Sequence, residues 1–96
     1  MLVLVSYDVS TESKGGKKRL RQVAKVCQGF GLRVQNSVFE CLIDYGQAKQ
    51  LQIKLESIID EDKDSLRFYF LGDNWQRKVV HIGAKAITPM DDLLIV

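Results

Sequence analysis

The chain has 96 residues, 46% of them apolar and 27% charged, with a formal net charge of +2. This is a globular rather than a disordered composition, sufficient for one domain that buries about 60–68% of the surface its unfolded chain exposes. No apolar run reaches the roughly 20 residues a bilayer-crossing helix needs, and the amino terminus enters a strand pattern with no basic leader, so neither a membrane span nor a secretory signal is expected.

Cys27 and Cys41 lie in apolar patterns without C-x-x-C spacing. They read as buried free thiols of a reducing, cytoplasmic compartment. One histidine and two distant cysteines exclude a four-ligand zinc site. The charge is uneven. Residues 1–36 carry seven basic side chains against Asp8 and Glu12, and the rest of the chain is net acidic. Such asymmetry points to a polyanion-facing surface near the first predicted helix.

Met1-Leu2-Val3-Leu4-Val5-Ser6-Tyr7-Asp8 is an apolar run without helical spacing, read as a central strand buried on both faces. Asp8 closes it. A carboxylate at the mouth of a buried strand must be solvated, paired or metal-bound. Asp8 therefore either turns the chain or holds a divalent metal for phosphodiester chemistry. Residues 10–16 form a polar loop that lacks the P-loop spacing.

The spacing of Leu20, Val23, Ala24 and Cys27 predicts a helix from about Lys17 to Gln28. Lys14, Lys18, Arg21 and Lys25 share its opposite face, Lys14 only if the helix begins early. That face is either solvated or a stripe of phosphate contacts. Arg19 falls beside the apolar arc, where its stem can cover the core and its guanidinium reach a strand end. Gly29 and Gly31 are expected to end the helix in left-handed conformations.

Leu32–Gln35 and Val38–Ile43 read either as a hairpin turning at Asn36-Ser37 or as a single bent strand. Asp44 and Gln47 form a capping box for a second helix, whose core stripe is Ala48, Leu51, Leu55 and Ile58. The acidic run Asp60 to Asp64 is expected to be solvated. Ser65–Leu71 alternates as a strand, with Leu66, Phe68 and Phe70 on one face and Arg67 and Tyr69 on the other. A further short strand is expected between Trp75 and Gly83. Leu93-Leu94-Ile95-Val96 is apolar to its end and would be a liability as a bare edge. The segment from about residue 84 onward is expected to pair with a partner subunit.

The order β-α-β-β-α-β, with extra C-terminal strands, predicts an α+β, ferredoxin-like single domain over residues 1–96. That fold serves many functions. An RNA-recognition module needs a glycine-containing aromatic strand, which Val38–Ile43 is not, with Glu40 at its middle. A small-molecule regulatory domain needs ligand loops that are not recognisable. A metal-assisted nuclease is the third reading.

Tyr7-Asp8 at the end of the first strand, Gln35-Asn36-Ser37-Val38-Phe39-Glu40 in the hairpin and Arg67-Phe68-Tyr69-Phe70-Leu71 in a later strand resemble the CRISPR-associated protein two family over essentially the whole chain. Virulence-associated toxins of the D type, which are ribonucleases, are similar in fold and in their aspartate. The resemblance implies a homodimer of ferredoxin-like protomers and a metal-dependent endonuclease of RNA or duplex DNA, with Asp8 as the family's strand-end aspartate. It also implies a role in spacer acquisition for antiviral defence, in which the protein bridges dimers of the CRISPR integrase and can act as a scaffold.

Magnesium, with manganese as a substitute, suits one or two carboxylates completed by waters and phosphate. A two-fold dimer would bring two copies of Asp8. Around Asp8 the expected catalytic set is Tyr7, Arg19, Arg33 and Ser37, with Arg19 and Arg33 matching the family's basic positions near strand ends. Lys14, Lys18, Arg21 and Lys25 are the expected nucleic-acid-binding residues. Tyr7 either orients a phosphate or packs, Ser10 and Ser37 either donate to phosphate or close turns, and Phe39 either fills the core or stacks on a base. His81 alone excludes a two-histidine ribonuclease mechanism within one chain.

Overall fold

Val3, Val5 and Tyr7 alternate inward along the first strand, and two helices close over them. The computed structural model describes residues 1–83. Its elements are β1 (Leu2–Asp8), α1 (Lys14–Gln28), β2 (Leu32–Gln35), β3 (Val38–Leu42), α2 (Tyr45–Ile58), β4 (Ser65–Gly72) and a 3-10 turn at Trp75–Arg77. The sheet has four strands in the order β2-β3-β1-β4, and every neighbouring pair is antiparallel. This is the expected ferredoxin-like α+β architecture. The expected C-terminal pairing segment lies outside the described residues.

The helices cover one face of the sheet. Val3, Val5, Tyr7, Phe39 and Cys41 from the strands meet Val23 and Cys27 of α1 and Ala48, Leu51 and Leu55 of α2 in one buried cluster. Phe39 is fully buried, so it fills the core. The other face of β1 carries Leu2, buried, Leu4 and Ser6, half-buried, and Asp8, exposed. The expectation of burial on both faces is thus corrected. Only the helix side of β1 is sealed along its whole length.

Helix α1 starts three residues earlier than its apolar spacing predicts. The Ser13 side chain accepts the Gly16 amide N–H, capping the helix ahead of the glycine pair. Gly16 is required there, because a Cβ would collide with the Ser10 carbonyl. The expectation for Gly29 and Gly31 is also corrected. Neither adopts a positive φ, and Gly29 is right-handed at φ −73°. Gly31 serves close approach instead, since a Cβ would run into the Glu40 carbonyl and the Cys41 sulfur.

Helix α2 carries the predicted capping box. Asp44 accepts the Gln47 amide at 2.7 Å, and the Gln47 side chain accepts the Asp44 amide at 3.0 Å. In β4, Phe70 shares the inward face with Phe68 but is 48% exposed, because it stands near the end of an edge strand with Tyr45 stacked against it. The short strand expected between Trp75 and Gly83 does not form among the described residues. The amides of Lys78 and Val79 turn back to the Trp75 carbonyl, and Val79–Ile82 flank the open face beside Leu4, Val34, Val38 and Glu40.

Candidate active site at the end of β1

Strand register decides what surrounds Asp8. Along the β1–β4 pair, Asp8 faces Ser65, Ser6 faces Arg67 and Leu4 faces Tyr69. Side chains of an antiparallel pair that stand opposite one another share a face, so Ser6, Asp8, Ser65, Arg67 and Tyr69 all belong to the side away from the helices. They line a shallow recess of about 170 Å³. Arg67 donates to the Tyr69 hydroxyl at 3.2 Å, which orients the guanidinium along the strand and holds it well into the charged range. No ion pair occupies Arg67 among the described residues. The recess therefore offers an exposed carboxylate, hydroxyls and an available guanidinium side by side.

Of the expected catalytic residues, Tyr7, Arg33 and Ser37 lie together, while the Asp8 side chain takes the opposite face and Arg19 is engaged elsewhere. Tyr7 points to the helix side, 96% of its surface buried by the core, with its hydroxyl donating to the Asn36 carbonyl at 3.2 Å and its ring stacked on Phe39. Burial raises its pKa, and nearby Arg33 opposes that shift. The packing alternative is thus the one realised for Tyr7. Arg33 lies over the Phe39 ring, 5.2 Å from its centroid, on the same side. Ser37, in the β2–β3 turn, accepts the Tyr7 amide N–H through its carbonyl.

Arg19 reaches toward the strand end, as its place beside the apolar arc predicts, but its guanidinium is engaged there. Its Nε donates to Asp64 Oδ2 at 2.7 Å and its Nη2 to Oδ1 at 3.4 Å. Asp64 also accepts the amides of Ser10 at 3.0 Å and Asp60 at 2.9 Å. Arg19, followed by these amide donors, holds the Asp64 carboxyl down at about 2. This corrects the expectation that the whole acidic run is solvated, since the Asp64 side chain has no exposed surface. Lys14, Lys18, Arg21 and Lys25 are all exposed on α1, with Lys14 inside the helix. Burial pushes the thiols of Cys27 and Cys41 up to about 12 and about 11, so both are inert core residues.

Sequence reasoning missed Asp64, Ser65, Arg67 and Tyr69 as neighbours of the strand end. The alternation of β4 already placed Arg67 and Tyr69 on one face, but only the register sets them beside Asp8. Among the described residues no three His, Cys, Asp or Glu side chains cluster to hold a metal. The donor set at Asp8 is one exposed carboxylate with serine hydroxyls nearby. That set fits magnesium, which keeps most of its waters, and does not fit zinc.

A two-layer α+β domain with an acidic strand end and a basic helix defines the class as small ferredoxin-like proteins. A family model described as CRISPR associated protein Cas2 matches residues 1–79. The CRISPR-associated endonuclease Cas2 of Halalkalibacterium halodurans is 60% identical over 95 residues, 99% of each chain. The CRISPR-associated endoribonuclease Cas2 of Nitratidesulfovibrio vulgaris is 55% identical over 96 residues, 99% of this chain and 94% of its own. The crystal structure of Streptococcus pyogenes Cas2 at pH 6.5 superposes with a TM-score of 0.75 at 55% identity, covering 86% of this chain and 100% of that one. The chain belongs to the CRISPR-associated Cas2 family. No helix among the described residues is long and apolar enough to cross a membrane.

Proposed function

We propose that this protein is a CRISPR-associated endonuclease that cuts phosphodiester bonds at Asp8 with a divalent metal, as a homodimer, in spacer acquisition. The observation that carries the reading is the exposed carboxylate at the end of the central strand, with Arg67 available beside it. Asp8 would hold magnesium, or manganese in its place. When bound, the metal polarises a phosphoryl oxygen and activates water. The chain's own contribution is positional. Arg67, oriented by Tyr69, neutralises the phosphate next to the scissile bond, and the exposed lysines and arginine of α1 hold the flanking backbone. A second copy, docked so that both β1 strands approach, supplies a second Asp8 to a site that one carboxylate furnishes thinly.

Asp8 is the one carboxylate lining the recess among the described residues, which also favours a second reading, a dimeric scaffold that binds duplex DNA and the CRISPR integrase without cutting. The test is cleavage of duplex DNA and single-stranded RNA by wild type and Asp8→Asn, with magnesium, with manganese and with a chelator. The endonuclease reading expects cutting that needs metal and disappears in Asp8→Asn. Cutting that survives the substitution removes Asp8 from the chemistry, and no cutting beside retention of the integrase in a pull-down selects the scaffold.

A further inference from the structure

Asp8 has neighbours on its own face, but what fixes it in space lies behind it. Two residues downstream, the Ser10 amide N–H is bound by Asp64 Oδ1 at 3.0 Å. Directly across the sheet, Asp8 pairs with Ser65, the residue that follows Asp64. The same carboxylate takes the Arg19 guanidinium from α1 and the Asp60 amide from the turn after α2. The Asp64 backbone N–H closes that turn on the Asp60 carbonyl at 2.7 Å. One side chain thus ties together the chain leaving β1, the first turns of α1 and the chain arriving at β4. Gly16 seals the junction by letting α1 approach the Ser10 carbonyl.

We propose that Asp64, clamped by Arg19, is the positioning residue for Asp8. The inference rests on the reading of Asp8 as the metal-holding carboxylate. An exposed side chain at a strand end would otherwise sweep a wide arc, and a weakly held magnesium needs its one protein ligand at a set place. Asp64 does this without touching metal or substrate. It fixes the backbone on both sides of the ligand, downstream through Ser10 and laterally through Ser65. Arg19 then acts behind the site, through its hold on the Asp64 carboxylate.

The experiment compares wild type, Asp64→Asn, Arg19→Lys and Asp8→Asn at a temperature where circular dichroism shows each fully folded. Steady-state cleavage is measured with magnesium, and the 15N-labelled proteins are titrated with manganese, following paramagnetic broadening of the amides of residues 7–10. Asp64→Asn is expected to lower kcat by about 10–100-fold, the range for residues that orient a metal's ligand, with KM within about twofold. It should also require more manganese to broaden those amides. Arg19→Lys keeps the charge and should lose less of both. If Asp64→Asn matches wild type in kcat and in the titration while Asp8→Asn is inactive, the inference fails and the reading of Asp8 stands. If Asp8→Asn cuts like wild type, the reading of Asp8 itself fails. Should Asp64→Asn not fold, Arg19→Lys decides alone: unchanged kcat and unchanged broadening overturn the proposal.

Discussion

A carboxylate with no exposed surface remains ionised only while its partners outweigh its lost hydration, and Asp64 has a guanidinium and two backbone amides to do so. Its folded pKa is about 2, below the ordinary 3.8. A depressed folded value means the unfolded chain binds the proton more readily. The stabilisation is complete above the ordinary value and is lost as pH falls from there toward about 2. Urea denaturation from about pH 6 to about pH 2 should show wild type losing stability across that window, with Asp64→Asn giving a flatter acid limb. An equally steep limb in the variant would assign acid sensitivity elsewhere. Legibility at this scale divides sharply. Asp8 announces itself, because a charge terminating an apolar run is a local signal. Asp64 does not. It stands in a run with Asp60, Glu61 and Asp62, and nothing local distinguishes the one member that Arg19 reaches from 45 positions away.

At the scale of elements, α1 has two faces with separable roles. Its inner residues Val23 and Cys27 are fully buried, and its outer lysines and arginine are solvated. Charge reversal outside should therefore alter binding without unfolding. Lys18→Glu combined with Arg21→Glu is expected to weaken duplex affinity and lower the salt slope, each lost phosphate contact reducing it by about 0.9 on duplex DNA. Unchanged affinity at low salt would remove α1 from the interface. In α2, Leu51→Ala opens a cavity in the fully buried cluster and should cost about 2–5 kcal/mol by denaturant titration. The capping box of α2 was readable because its signal is two residues at fixed spacing. The start of α1 was not, since Gly15-Gly16 looks like loop, and only the approach to Ser10 reveals why a helix tolerates a glycine there. The strand expected after Trp75 failed for a related reason. Val79, Val80 and Ile82 have strand-like composition, but among the described residues no strand pairs with them, and the Lys78 and Val79 amides turn back to the Trp75 carbonyl.

At the scale of the molecule, the fold class followed from the alternation of periods two and 3.6 along the chain, and each helix crossover joins two parallel strands with a third strand between them. The sequence held no comparable signal for which side the helices would leave open. That side carries Leu4 and Val38, half-buried, Tyr69, exposed, and Asp8 at its end, so apolar surface adjoins the candidate ligand. If the proposed dimer brings two β1 strands together across this face, an acidic side chain at Val38 should disrupt assembly and the site at once. Val38 faces Ser6 across β1, two residues from Asp8, and lies with Leu4 and Glu40 along the groove of the open face. Val38→Glu places a second carboxylate near Glu40, a desolvation and repulsion cost that only the associated state incurs fully. Sedimentation equilibrium should find wild type at twice the 10.9 kDa chain mass and Val38→Glu at that mass, with its helical circular dichroism retained. Cutting should fall together with dimer content although Asp8 and Asp64 are intact. A monomeric variant that still cuts would show that one Asp8 suffices, and a dimeric variant would move the subunit contact off this face.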